Sequence, residues 1–146
     1  MPELPKRKNH RLENHDYAED GFYFLTICTK GKAHILSEIV LGPDGAAAVR
    51  LKPYGQAAES RILSIPGIDK YVVMPNHVHM IVCKSNGKSI ASDIRTFKGL
   101  VSKQVGASIW QDSFYDHIIR NEQDYQEKWC YIDENPAKWL DDEYNT

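Results

Sequence analysis

The sequence predicts an α+β layer sandwich, one mostly antiparallel sheet with helices packed on one side. Three features carry that expectation. Strand-length runs rich in β-branched and aromatic residues occur at 21–29, 68–74 and 78–84. Gly42-Pro43-Asp44-Gly45 joins two further apolar runs, as the turn of a hairpin would. Ile90, Ile94, Phe97, Val101 and Val105 recur every three or four residues, the spacing of one apolar helix face.

In chain order, residues 1–16 are polar, carry Lys6, Arg7, Lys8 and Arg11, and are expected to form a mobile basic arm. The run 21–29, Gly-Phe-Tyr-Phe-Leu-Thr-Ile-Cys-Thr, reads as a central strand. Segments 35–41 and 46–51 flank the hairpin turn. Pro53 suits the first turn of a helix, where its missing N–H would have no helical partner. Tyr54, Ala57, Ala58, Ile62 and Ile65 follow at helical spacing until Pro66-Gly67 stops them. Two more strands, 68–74 and 78–84, are separated at Pro75-Asn76. The helix over 89–105 ends at Gly106. Segments 109–111 and 114–119 are short extended pieces. Asn121, a preferred N-cap, opens a last helix whose first turn carries acids, and Pro136 comes near its end.

The 146 residues suffice for one domain, 1–146, with a sizeable core. With 42% apolar and 26% charged residues, the composition is globular rather than disordered or fibrous. No apolar run is long enough to span a bilayer, and the basic N-terminus lacks the apolar stretch of a secretory signal. The expected location is therefore the cytoplasm, with no membrane partner. Cys28, Cys83 and Cys130 are odd in number, far apart and in apolar surroundings, which reads as buried reduced thiols rather than a zinc or redox site. A net charge of −2 speaks against a strongly basic nucleic-acid binder, but the charge is unevenly spread. Lys84, Lys88, Arg95, Lys98 and Lys103 share one stretch opposed by Asp93, while acids gather from Asp116 onward, so a basic groove is compatible with near-neutrality.

Chemistry concentrates in Met74-Pro75-Asn76-His77-Val78-His79. Residues i and i+2 of a strand share a face, so His77 and His79 project together. Two adjacent imidazoles are a costly core filling and a direct means of holding a divalent metal. An ordinary polar pair on a solvent side is the other reading of that spacing. On the last helix, at about 100° per residue, Tyr125, Trp129 and Ile132 form an apolar stripe, whereas Tyr131 and Asn135 share a second face beside it. Tyr125 thus reads as structural. Two imidazoles and the Asn135 amide oxygen make three ligands with open positions, the pattern of a catalytic ion. Nitrogen and oxygen donors without thiolate suit magnesium or manganese in a phosphate context, although zinc, nickel or cobalt would bind imidazole more tightly. A tyrosine beside such an ion suggests covalent attack of a phenolate on a phosphodiester.

Three segments together, Met74-Pro-Asn-His-Val-His79, Trp110-Gln-x-x-Phe-x-x-His-Ile-Ile-Arg-Asn121 and Asp124-Tyr-x-x-x-x-x-Tyr-Ile-x-x-Asn-Pro136, resemble the single-tyrosine HUH transposases, especially the REP-associated tyrosine transposases. The likeness runs from about Tyr17 to Trp139. It implies a ferredoxin-like, RRM-like sheet that presents His77 and His79 as metal ligands, with Tyr131 as nucleophile on a C-terminal helix. Asn135 falls where related enzymes place a third polar ligand, often Gln, so its shorter arm departs from the pattern. The resemblance further implies a DNA transposase assisted by a divalent metal, Mg2+ or Mn2+. Such enzymes cut and rejoin single-stranded DNA, often beside a hairpin, through a 5′-phosphotyrosine and a free 3′-hydroxyl, without a nucleotide cofactor. Related enzymes act either as homodimers that exchange the tyrosine helix or as monomers, and both stay open.

For a DNA substrate, Lys84, Lys88, Arg95, Lys98, Lys103 and Arg120 are candidate phosphate contacts, against the alternative of a solvated helix face. Phe22, Tyr23, Phe24, Trp110, Phe114 and Tyr115 either stack bases or pack the core. His117 reads either as a contact for DNA or metal or, better, as a sheet residue supporting the site. A histidine-triad nucleotide hydrolase would need a third histidine where Ile81 stands. A replication or plasmid-transfer initiator would usually be larger. The alternative reading is a domesticated, catalytically weak protein of the same fold that binds single-stranded or hairpin DNA.

Overall fold

The structure, a computed structural model, describes residues 21–84 and 90–139. The expected arm over 1–16 and Lys88 lie outside the described residues. The chain runs β1 (Phe22–Cys28), a 3-10 turn (Lys30–Lys32), β2 (Ser37–Leu41), β3 (Ala47–Leu51), α1 (Pro53–Ile62), β4 (Ile68–Val73), β5 (His77–Cys83), α2 (Ile90–Val105), β6 (Tyr115–Ile118) and α3 (Glu122–Glu134). These elements follow the expected order. Segment 109–111 forms a single bridge, Trp110 with Thr29, instead of a strand.

β4, β5, β1 and β6 make one sheet in that order, every neighbouring pair antiparallel. β1 and β4 both flank β5 and so run parallel to each other, a relation that no tight turn can connect. The β2–β3 hairpin and α1 span the crossover. The result is an α+β sandwich with ferredoxin-like strand order and a hairpin inserted before the first helix. Asp44 closes the hairpin turn by accepting from the Ala46 amide at 3.0 Å.

Alternation along β1 and β5 separates two cores. Leu25 and Ile27 of β1 with Val78, Met80 and Val82 of β5 pack against Ala58 and Ile62 of α1 and Ile94, Phe97 and Val101 of α2. The other face carries Phe22, Phe24 and Ile81, which pack with Ile119 and with Tyr125 and Ile132 of α3. The helical layer expected on one face is thus α1 and α2, and α3 lies across the opposite face. Cover on both faces explains why 77–82 are all buried. On the α1 side the backbones approach so closely that a Cβ on Gly55 would overlap the Leu36 carbonyl oxygen. Gly55→Ala should therefore destabilise the fold by about 1–3 kcal/mol. The urea midpoint measures this, and an unmoved midpoint would show that the helix and the 36 segment do not press together.

α3 is capped as its sequence predicts, with Asn121 Oδ1 accepting from the Asp124 amide at 2.8 Å. Tyr125 is fully buried, edge-on to Phe22 at 5.9 Å, and its hydroxyl donates to Asp69. Lys70 of β4 reaches Asp133 at 2.8 Å and lies 3.7 Å over the Trp129 ring. These contacts tie the last helix to the edge strand β4. Among the described residues no helix is long and apolar enough to cross a membrane.

Candidate active site

The β1–β5 register aligns Thr26 with His79 and Cys28 with His77, all on the α3 face. The two imidazoles are buried, with ring centroids 4.5 Å apart. Each ring is held through Nδ1. His77 Nδ1 lies 2.7 Å from Asn76 Oδ1, and Asn76 is oriented by donating its amide N–H to the Lys32 carbonyl at 3.4 Å. An oxygen that only accepts puts a proton on His77 Nδ1 and turns Nε2 away from that bond. His79 Nδ1 lies 2.8 Å from Thr26 Oγ1, while Phe24 stacks on the same ring at 5.2 Å. Burial, then the neighbouring His77, hold His79 well below the ordinary histidine value, against a backbone hydrogen bond at Leu25 that raises it. His79 is therefore neutral at pH 7, the form that coordinates metal.

The Tyr131 ring stands 5.1 Å from His79 and 6.0 Å from Phe24. Beyond the helix end, Trp139 stands 6.2 Å from His77 and 5.4 Å from His34. Asn135, four residues from each, falls on the same side of the segment and is 2% exposed. Its backbone N–H donates to the Ile132 carbonyl at 3.3 Å, as at a helix C-cap. Two buried imidazoles held through Nδ1, with the Asn135 side chain on the neighbouring helix segment, fit a divalent cation with open positions. Among the described residues no cluster of three or more His, Cys, Asp or Glu adds a further ligand set. A cleft of about 540 Å3 opens over this face, lined by Phe24, Thr26, His79, Tyr115, Glu127, Lys128 and Tyr131.

An uncharacterized protein of Haemophilus influenzae is 29% identical over 170 residues, covering 94% of this chain and 92% of its own. A REP-associated tyrosine transposase of Escherichia coli is 37% identical over 73 residues, 49% of this chain and 44% of that protein. No family model matches. The solved structure of a REP-associated tyrosine transposase bound to a REP hairpin shares the fold, with a TM-score of 0.64 at 22% identity, covering 93% of this chain and 74% of that one. The chain resembles REP-associated tyrosine transposases.

Within this transposase-like fold the predicted residues divide into two groups. His77, His79 and Tyr131 come together on one face, and Asn135 is buried one helical turn beyond Tyr131. Lys84 instead is buried and ion-paired with Asp93, so a phosphate would have to displace that carboxylate to reach it. Arg95, Lys98 and Lys103 ride on α2, which packs on the other side of the sheet, and Lys98 donates to the Asp112 carbonyl at 3.0 Å. Arg120 is exposed just before α3, its amide donating to Asp124 at 3.1 Å. Phe22, Phe24 and Trp110 belong to the cores, whereas Tyr115 is 55% exposed. The cysteines form no disulfide, and burial pushes the Cys28 and Cys130 thiols up, away from reactivity.

Four residues escaped the sequence reading: Thr26, Asn76, Glu127 and Lys128. Asn76 had a signal in its adjacency to His77, but Thr26 becomes visible only through strand register. Lys128 bonds Asp124 at 2.9 Å, and His117 Nε2 approaches the same carboxylate at 2.8 Å, which gives His117 its supporting place. Burial pushes the Asp124 carboxyl up, but hydrogen bonds from Lys128, His117 and the Arg120 amide outweigh it and hold the carboxyl below its ordinary 3.8. A depressed folded value means stabilisation that is complete above the ordinary value and fades as the pH falls through the folded one. Asp124→Asn should lower the melting temperature by a few degrees at pH 7, and the gap from wild type should begin to narrow only as the pH falls below 3.8. Melting curves across pH test this, and a gap independent of pH would contradict it.

Proposed function

We propose that this chain is a cytoplasmic transposase-type enzyme that cleaves and rejoins single-stranded DNA through a covalent intermediate on Tyr131. The carrying observation is the Tyr131 ring 5.1 Å from His79, beside His77, at the wall of an open cleft. A tyrosine kept for packing is buried as Tyr125 is, yet Tyr131 is 39% exposed.

In the cleavage step the phenolic oxygen of Tyr131 bonds to phosphorus as the P–O3′ bond breaks. The phenolic proton leaves to solvent, and the departing oxygen takes a proton to become a free 3′-hydroxyl. The 5′-phosphate, now esterified to Tyr131, keeps the phosphodiester bond energy. A DNA 3′-hydroxyl attacking that ester reverses the step and joins strands without a nucleotide cofactor. His77 and His79, with Asn135, would hold a divalent cation, Mg2+ or Mn2+, which when bound supplies Lewis-acid neutralisation of charge on the phosphoryl oxygens. Asn76 and Thr26 keep the imidazoles oriented for that role. Lys128, fixed by Asp124, offers an ammonium donor inside the cleft beside Glu127.

Sequence likeness to a REP-associated tyrosine transposase, and a shared fold with one bound to a REP hairpin, support a hairpin-bearing strand as substrate. Incubated with such a strand and Mg2+ or Mn2+, the protein should yield a protein–DNA species that survives a denaturing gel. Binding without any such species would favour the strand-holding alternative.

A further inference from the structure

The β1–β6 register places Tyr115 beside Thr26, so His79, Thr26 and Tyr115 form one cross-strand row on the α3 face. Tyr115 is thus two strands from the paired histidines, on the open edge of the sheet. A second cavity of about 330 Å3 adjoins the first, lined by Thr26, Cys28, Lys32, Gln111, Phe114 and Tyr115. Thr26 and Tyr115 line both cavities. Tyr115 is therefore the wall between them, with Lys128 on the Tyr131 side and Lys32 on the far side.

We infer that Tyr115 is the stacking residue of a single-strand track leading away from Tyr131, so that a base next to the cut phosphate lies on its ring. This rests on the proposed function. The track is continuous in geometry: a strand leaving the first cavity must cross the Tyr115 ring to enter the second. Each cavity offers one lysine to a phosphate backbone, Lys32 in the second and, in the first, Lys128 beside Glu127 and paired with Asp124. Its chemistry selects a single strand, because duplex bases keep their faces inside the stack and cannot offer one to a side chain. Of the aromatics on this face, Phe22 and Phe24 are enclosed by the core and already packed, while Tyr115 alone among the three is mostly exposed.

The probe is a short mixed-sequence DNA single strand carrying a fluorophore, titrated with the full chain and followed by anisotropy. Tyr115→Ala should weaken binding about tenfold, the scale of one lost base stack. Tyr115→Phe should bind like wild type, because the ring and not the hydroxyl carries the contact. The residue is exposed, so the alanine variant should melt like wild type, which separates lost contact from lost fold. Wild-type affinity in Tyr115→Ala, or equal loss in Tyr115→Phe, overturns the inference. Adduct formation read in parallel keeps the two readings apart. Weakened binding by Tyr115→Ala without any wild-type adduct refutes the catalytic reading and leaves the track. A wild-type adduct with undiminished binding by Tyr115→Ala refutes the track and leaves catalysis.

Discussion

Tyr131→Phe should form no covalent complex with single-stranded DNA, a loss on the order of a thousandfold or more, because no other group replaces a missing nucleophile. The substitution removes one oxygen and keeps the ring. Contacts of the ring with Phe24 and His79 depend on its faces and edges, so strand affinity and melting temperature should stay at wild-type values. That combination separates chemistry from packing. A denaturing gel reads the covalent species, anisotropy reads binding, and equal adduct in variant and wild type would mean that the nucleophile is another residue. Tyr125→Phe makes the contrasting control. Its hydroxyl bonds Asp69 beneath the helix, so it should lower stability and spare the adduct.

His79→Ala should lose both Mn2+ binding, read by titration calorimetry, and metal-dependent cleavage, by on the order of a hundredfold or more. Calorimetry matters because it does not depend on turnover. The variant also removes a buried ring from between Thr26 and Phe24, so some loss of stability is expected from the space left behind. Folding is checked by the melting temperature, and strand binding by anisotropy. Undiminished Mn2+ uptake by a folded variant would remove the paired histidines from the metal role.

Much of this arrangement can be read from residue order, and the parts that cannot share a physical reason. Periodicity reports which residues of an element are buried, not what they are buried against. It separates Tyr125 from Tyr131, because helical angle alone puts the first on the apolar stripe and the second beside it. It does not say that α3 crosses the opposite face of the sheet from α1 and α2. The His-x-His spacing puts two rings on one side of β5, but Thr26 meets His79 through a register between residues 53 positions apart. Charge patterning fails similarly at Lys84. A lysine in a basic run looks solvated until the fold brings Asp93 against it. Tyr115 could not be told from Phe24 or Trp110 as an aromatic, since its exposure follows from β6 being an edge strand.

The two halves of the site belong to elements of different kinds. The histidines, Thr26 and the floor of the cleft come from β1 and β5, interior strands paired on both sides, whereas the tyrosine comes from the last helix, which packs across β4, β5 and β1. On the proposed function, this makes cutting and holding separable inheritances for a lineage of such chains. A substitution at Tyr131 would remove the proposed nucleophile and leave strands, imidazoles and Tyr115 in place. A gene that has stopped mobilising DNA thus has a short route to one that grips it.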